Sequence, residues 1–345
     1  MESRKIPGNQ KKNVEKQFQQ LSYCLTQARE FSASAQSSSL STKALQAYYS
    51  ITSLANVEIL WKSDGNGSID RRRSVYHRHG LDLTIGESID EFSAKPQIDD
   101  GNQLVGLFGL WRQYARHAPH YGEHKITYTG IGSQHTSLEQ LSSATPLSEF
   151  PMGSGHISLR RCLGHIPGLQ FSLADMNKDA YLVRGRVSLA TAANDRNRTS
   201  STTIKTIIQP AKPSLLNAVA DRFKFPPAMV SDVKYIESGN AIIFDVTRKS
   251  TEKFYQSVGP ESFSEKIDNL YFISDGEFLN EFGYFYVGLY ILGMITRYHP
   301  QRWIRELSRN SDYTVIIDEF IDLSLTRAPL LVLGELRNDV FVYQK

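Results

Sequence analysis

Cysteine is scarce, with only Cys24 and Cys162 in 345 residues. Two cysteines do not make a disulfide framework, and a chain this long does not depend on one bridge. Both sit among apolar neighbours, so two small buried thiols are expected. Long hydrophobic runs are also missing. The longest is Phe282–Ile295, fourteen residues bounded by Glu281 and, just beyond Thr296, Arg297. A bilayer span needs roughly 20, so the run is expected to form a buried helix and no membrane partner is expected. The N-terminus, MESRKIPGNQKKNVEKQ, lacks the apolar core of a signal peptide, and the cytoplasm is the expected location. Charge of one sign is missing too. The 39 Lys and Arg against 36 Asp and Glu leave +3, so an anion site must come from local clustering. No Walker loop, Rossmann fingerprint, nucleophile elbow or HExxH frame occurs, and no cofactor is expected.

What is present is an ordinary globular composition, 40% hydrophobic and 22% charged. The length allows two ordinary domains or one large one with insertions. Residues 1–12 are polar and basic and read as a flexible tail. A first helix is expected over 13–35, with Phe18, Leu21, Leu25, Ala28 and Phe31 as its apolar stripe. A second is expected over 43–61, with Ser41 or Thr42 as N-cap and Ala44, Ala47, Tyr48, Ile51, Leu54, Ala55 and Ile59 on one face. The short connection predicts antiparallel packing. Short helices follow at 104–114 and 158–163, and 117–157 reads as loop.

The pattern then alternates. Strands are expected at 181–189, 203–208, 233–236, 241–246 and 270–273, with Glu237–Asn240 as a hairpin turn. Helices return at 278–296 and 301–307. Pro329 is expected to separate two more, at 315–325 and 330–336. The fold class is therefore α+β and predominantly helical, with N- and C-terminal helical parts around a small antiparallel central sheet. The expected divisions are 13–175, 176–262 and 263–345, with the last packed on the first.

Two blocks carry a resemblance. ALQAYYSITSLANVEIL (44–60) with His79-Gly80-Leu81, and GLYILGMITRYHPQRW (288–303), together resemble the YaaC-like family of bacterial proteins. Weaker matches are GLFGL (106–110) and SLRRCLGHIPGL (158–169). The resemblance implies little about activity.

The densest chemistry lies in RRRSVYHRHGL (71–81). The helix pair before it resembles the HEPN superfamily, whose ribonuclease members carry Arg-x(4–6)-His after such a pair. Arg72–His77 and Arg73–His79 fit that spacing. The resemblance implies metal-independent RNA cleavage of the kind used in toxin or antiphage systems. Arg72 or Arg73 would hold the phosphate, and His77 or His79 would take the 2′-OH proton. Arg71, Arg73, Arg78, Arg297, His299 and Arg302 are the further candidates for phosphate or nucleic acid.

Three other motifs are weighed and set aside. DGNGSID (64–70) fails as a calcium loop because Lys62 and Arg73 stand where acids are needed. His117, His120, Glu123 and His124 lack a helical frame for zinc. Asp318, Glu319 and Asp322 read as a solvated acidic face. Two functional readings stay open: RNA or nucleic-acid engagement, with or without cleavage, and a non-catalytic partner-binding subunit or homodimer of a defence complex, using the apolar helices and Trp303.

Overall fold

The computed structural model describes residues 11–63, 65, 67–116, 122–130, 133–141, 147–149, 152, 155–194, 200–209, 213, 230–249, 262–266, 269–273 and 279–337. It is a predominantly helical α+β chain. Among the described residues the helices are α1 (Lys11–Ser37), α2 (Leu40–Lys62), α3 (Gly106–Tyr114), α4 (Leu159–Gly164), α5 (Gln170–Asp175), α6 (Glu281–Tyr298), α7 (Pro300–Arg309) and α8 (Asp312–Arg337).

α6 forms the centre. It is apolar on every side and buried from Glu281 to Ile295, as a helix without a polar face must be. α2, α4 and α8 pack around it, and α1 lies against α2. The N- and C-terminal helical parts thus share one core, which runs from Tyr48 and Ile51 of α2 to Phe285 of α6 and Phe320 of α8. No helix among the described residues is long and apolar enough to cross a membrane. Cys24 and Cys162 are both buried and free.

Two sheets complete the fold. The smaller has the antiparallel order β1 (Leu81–Thr84), β2 (Ser93–Pro96), β5 (Ile157–Ser158). The larger has eight strands: β3 (Gly122–Gly130), β4 (Ser133–Leu141), β6 (Leu182–Asn194), β7 (Ser200–Ile208), β8 (Val230–Ile236), β9 (Ala241–Lys249), β10 (Ser262–Lys266) and β11 (Asn269–Ile273). Its main path runs β10-β11-β6-β7-β9-β8. All pairings are antiparallel except the contact of β3 with β6 at Tyr128 and Ala190. β6 is long enough to take β11 along Leu182–Gly185 and β3 further on. The Glu237–Asn240 turn forms as expected, with Asn240 left-handed at φ 46°.

Four expectations need correction. Residues 122–130 and 133–141 form the antiparallel pair β3–β4, not loop. β1, β2 and β5 lie in a region read as helical. Pro329 does not divide α8, which continues through it. The buried stripe of α1 is rotated: Gln17, Leu21, Cys24, Ala28 and Ala35 face inward, while Phe18 and Leu25 are 51% and 42% exposed. Gln17 explains the rotation. Its side chain donates to the Leu60 and Ser63 carbonyls and accepts from the Gly67 N–H, so the polar side chain is the one drawn in. His117, His120, Asp64 and Asn66 lie outside the described residues.

Candidate functional site

The segment 79–81 is anchored through its backbone. Gly80 and Gly106 cross at close contact, both with positive φ (83° and 73°). A Cβ on Gly80 would stand 2.2 Å from the Val105 carbonyl oxygen, so glycine is required there. The crossing places two carbonyls over the start of α3. Leu107 N–H donates to Arg78 O (2.8 Å) and Phe108 N–H to His79 O (3.1 Å). These bonds satisfy helix donors that Val105, the N-cap, cannot reach with a side chain. Gln97 N–H donates to Gly80 O (3.0 Å). The Tyr290 hydroxyl of α6 donates to Leu81 O (2.7 Å).

This anchoring aims His79 at the helical core. Its Nδ1 lies 2.6 Å from the Tyr48 hydroxyl, and its ring packs at 5.6 Å from Tyr48 and 5.9 Å from Tyr290. As a residue His79 is exposed, with its ring partly buried. Tyr48 is fully buried. Burial first, then the neighbouring Tyr286, Tyr290 and Tyr49, hold its hydroxyl well above the usual tyrosine range, so it stays protonated. Tyr286 lies beside it. The buried Tyr286 hydroxyl has no partner in hydrogen-bond geometry among the described residues.

Arg297, at the C-terminal end of α6, completes the cluster. It donates to the Tyr49 hydroxyl (3.3 Å) and lies over the Tyr298 ring. Partial burial, then the charge of Arg297, pushes His79 below the ordinary histidine value. His79 is therefore neutral at physiological pH and has a guanidinium in its field.

The other expected residues are distributed differently. Arg72 turns inward. Its Nε donates to the Gly67 carbonyl (3.2 Å) and its Nη1 to Asn56 Oδ1, and its Nη2 is buried with no partner among the described residues. His77 is exposed and meets the Arg72 backbone carbonyl at 3.3 Å, not the guanidinium. The Arg72–His77 spacing therefore does not bring a phosphate-holding cation beside a base. Arg71, Arg73 and Arg78 are exposed, with Arg73 at 6.0 Å from the Tyr76 ring. His299 joins α6 to α7 and caps both. Arg302 is exposed on α7 and reaches the Gly86 carbonyl (3.3 Å).

Trp303 is 1% exposed and donates to Ser41 O (3.0 Å), so it offers no partner surface. Asp318 and Asp322 are not simply solvated, because both pair with Lys43. Tyr48, Tyr49 and Tyr290 join the site without any sequence motif that marks them as functional. The signal available was the paired tyrosines in the same block as His79-Gly80-Leu81.

No curated protein matches the chain significantly. No solved structure matches it significantly. A family model described as YaaC-like Protein matches residues 1–336.

Proposed function

The chain belongs to the YaaC-like family, and from the geometry at His79 we propose that it engages RNA at the surface formed by His79, Arg78 and Arg297. The observation that carries this reading is His79 itself. It is a partly buried imidazole, held toward its neutral form and fixed through Nδ1 to a buried tyrosine, in the field of an arginine. Arginine matches phosphate oxygens with a planar fork. A neutral imidazole is the group that takes a proton near pH 7.

Metal-independent cleavage is the sharper form of the proposal. For His79 to act as base, its Nδ1–H must donate to the Tyr48 oxygen, leaving Nε2 free. The Tyr48 proton then turns toward the otherwise unpartnered Tyr286 oxygen. Nε2 takes the 2′-OH proton, the 2′-oxygen attacks phosphorus, and the P–O5′ bond breaks. The products are a 2′,3′-cyclic phosphate and a 5′-hydroxyl that is protonated from solvent. Arg297 stabilises the developing phosphorane charge. In this reading the base is His79 and the cation is Arg297, in place of Arg72 and His77.

The test is binding of labelled single-stranded RNA across a salt series. The expected result is binding that weakens steeply with salt, with a shallower salt slope for an Arg78→Gln/Arg297→Gln variant. An unchanged slope would refute the placement.

A second reading, a non-catalytic partner-binding subunit, rests on the exposed Phe18, Tyr23 and Leu25 of α1. It predicts an oligomer or complex that Leu25→Glu disrupts in light scattering, and it fails if that variant changes nothing.

A further inference from the structure

Arg302, Arg305 and Arg309 recur along α7 at i, i+3 and i+7, which sets three guanidiniums on one helix face. All three are exposed. That face stands across from Gly86 and Glu87, and the two sides bound a cleft of about 400 Å³. Ile89, Phe92, Ile295 and Trp303 lie beneath it and are almost fully buried, so its accessible lining is mainly polar. The volume lies within the range of small-molecule sites, roughly 300–1,000 Å³.

The cations of this cleft are largely uncommitted. Arg302 donates to the Gly86 carbonyl at 3.3 Å, which holds its stem and leaves other donors open. Arg305 makes no ion pair or hydrogen bond with the described residues. Arg309 reaches Glu306 at 3.3 Å. Glu306 also accepts from the Ser311 hydroxyl (2.9 Å), so its carboxylate is already engaged. Glu87 is the second carboxylate of the lining. Three cations face the two carboxylates of the lining, and a third carboxylate, Glu91, is held behind the Gly86–Glu87 wall by the Glu87 and Ser88 N–H groups.

We propose that this cleft binds a small phosphate-bearing molecule the size of a phosphosugar or mononucleotide. Arg302, Arg305 and Arg309 hold the phosphate through charge-assisted bonds. The body of the ligand lies between α7 and the Gly86–Glu87 wall. Glu87 accepts from a hydroxyl or amino group on that body. A recess of this volume takes one phosphorylated unit, not a run of them. His79, Arg78 and Arg297 do not line this cleft, and the proposal does not rest on RNA binding at His79.

The test uses the full chain with adenosine monophosphate and ribose 5-phosphate as probes. Adenosine, and sodium chloride at matched ionic strength, are the controls. Titration calorimetry and thermal melting are expected to show one saturable site for the phosphorylated probes and none for the controls. R305Q, at an exposed position, keeps the fold by circular dichroism and weakens binding roughly ten- to hundredfold. His79→Gln/Arg297→Gln leaves it unchanged. Equal effects from chloride or adenosine would overturn the proposal. So would wild-type affinity in R305Q, or binding of an oligonucleotide but of neither small probe.

Discussion

Replacing Lys62 by methionine removes a cation that two buried carboxylates share. Lys62 Nζ lies 2.6 Å from Glu58 Oε1, pairs with Glu335 and donates to the Tyr114 carbonyl (2.9 Å). The Glu58 and Glu335 side chains are each only 3% exposed. After the substitution Glu335 keeps Arg116 (2.8 Å), whereas Glu58 keeps the neutral Trp111 indole N–H (2.7 Å). Stranding one buried charge costs about 3–5 kcal/mol, a fall in Tm of roughly 4–7 °C for a chain of this size. Because Glu58 lies on α2 and Glu335 on α8, the loss also tests whether the N- and C-terminal helical parts share one core.

The effect of pH has a definite sign. Burial pushes the Glu58 carboxyl above its ordinary value, Lys62 opposes the rise and Glu335 adds to it. Without Lys62 the carboxyl climbs further. Between its ordinary value and the raised one, the folded chain holds a proton that the unfolded chain lacks. Stability therefore falls as pH rises through that window and returns as pH drops. Urea unfolding followed by tryptophan fluorescence at pH 7.5, 6 and 5 is expected to show a deficit that shrinks with acid. A Lys62→Met variant within about 1 kcal/mol of the parent at pH 7.5, or a deficit that grows in acid, would refute the reasoning.

Three further outcomes are expected. Gly80→Ala forces a Cβ against the Val105 carbonyl at a positive φ and costs more than about 3 kcal/mol; chemical denaturation checks it, and a loss under about 1 kcal/mol contradicts the backbone crossing. Arg297→Gln removes a charge that lowers His79, so the His79 titration followed by NMR moves up toward the ordinary histidine value. In the parent, stability carried by neutral His79 is present above that ordinary value and lost as pH falls through the lowered one. Tyr48→Phe leaves His79 Nδ1 without its 2.6 Å partner and costs about 1 kcal/mol, seen in thermal melts and in a loosened His79 resonance.

The legible parts of the fold were those with a strong pattern. α6 could be read because every one of its faces is apolar, and α2 because its stripe is regular. α1 misled because the glutamine that clasps the 63–67 segment displaced the hydrophobic stripe from the core. α8 misled because the buried side chains on both sides of Pro329 hold the helix through the missing hydrogen bond. β3 and β4 were hidden by polar residues and glycines with little alternation.

At the site, His79-Gly80-Leu81 stood out in sequence. Its partners Tyr48 and Tyr290 lie 31 and 211 residues away, and only the fold reveals which way His79 points. The Arg72–His77 spacing looked chemical, but spacing does not record that the guanidinium turns inward to Asn56 and Gly67.

The most direct measurement incubates labelled RNA in EDTA with the parent, His79→Gln and His77→Ala, and resolves bound and cut RNA on gels. The proposal predicts a 2′,3′-cyclic phosphate end from the parent and from His77→Ala, and RNA that is bound but uncut with His79→Gln. RNA left unbound by the parent at low salt, or cut equally by His79→Gln, would contradict it.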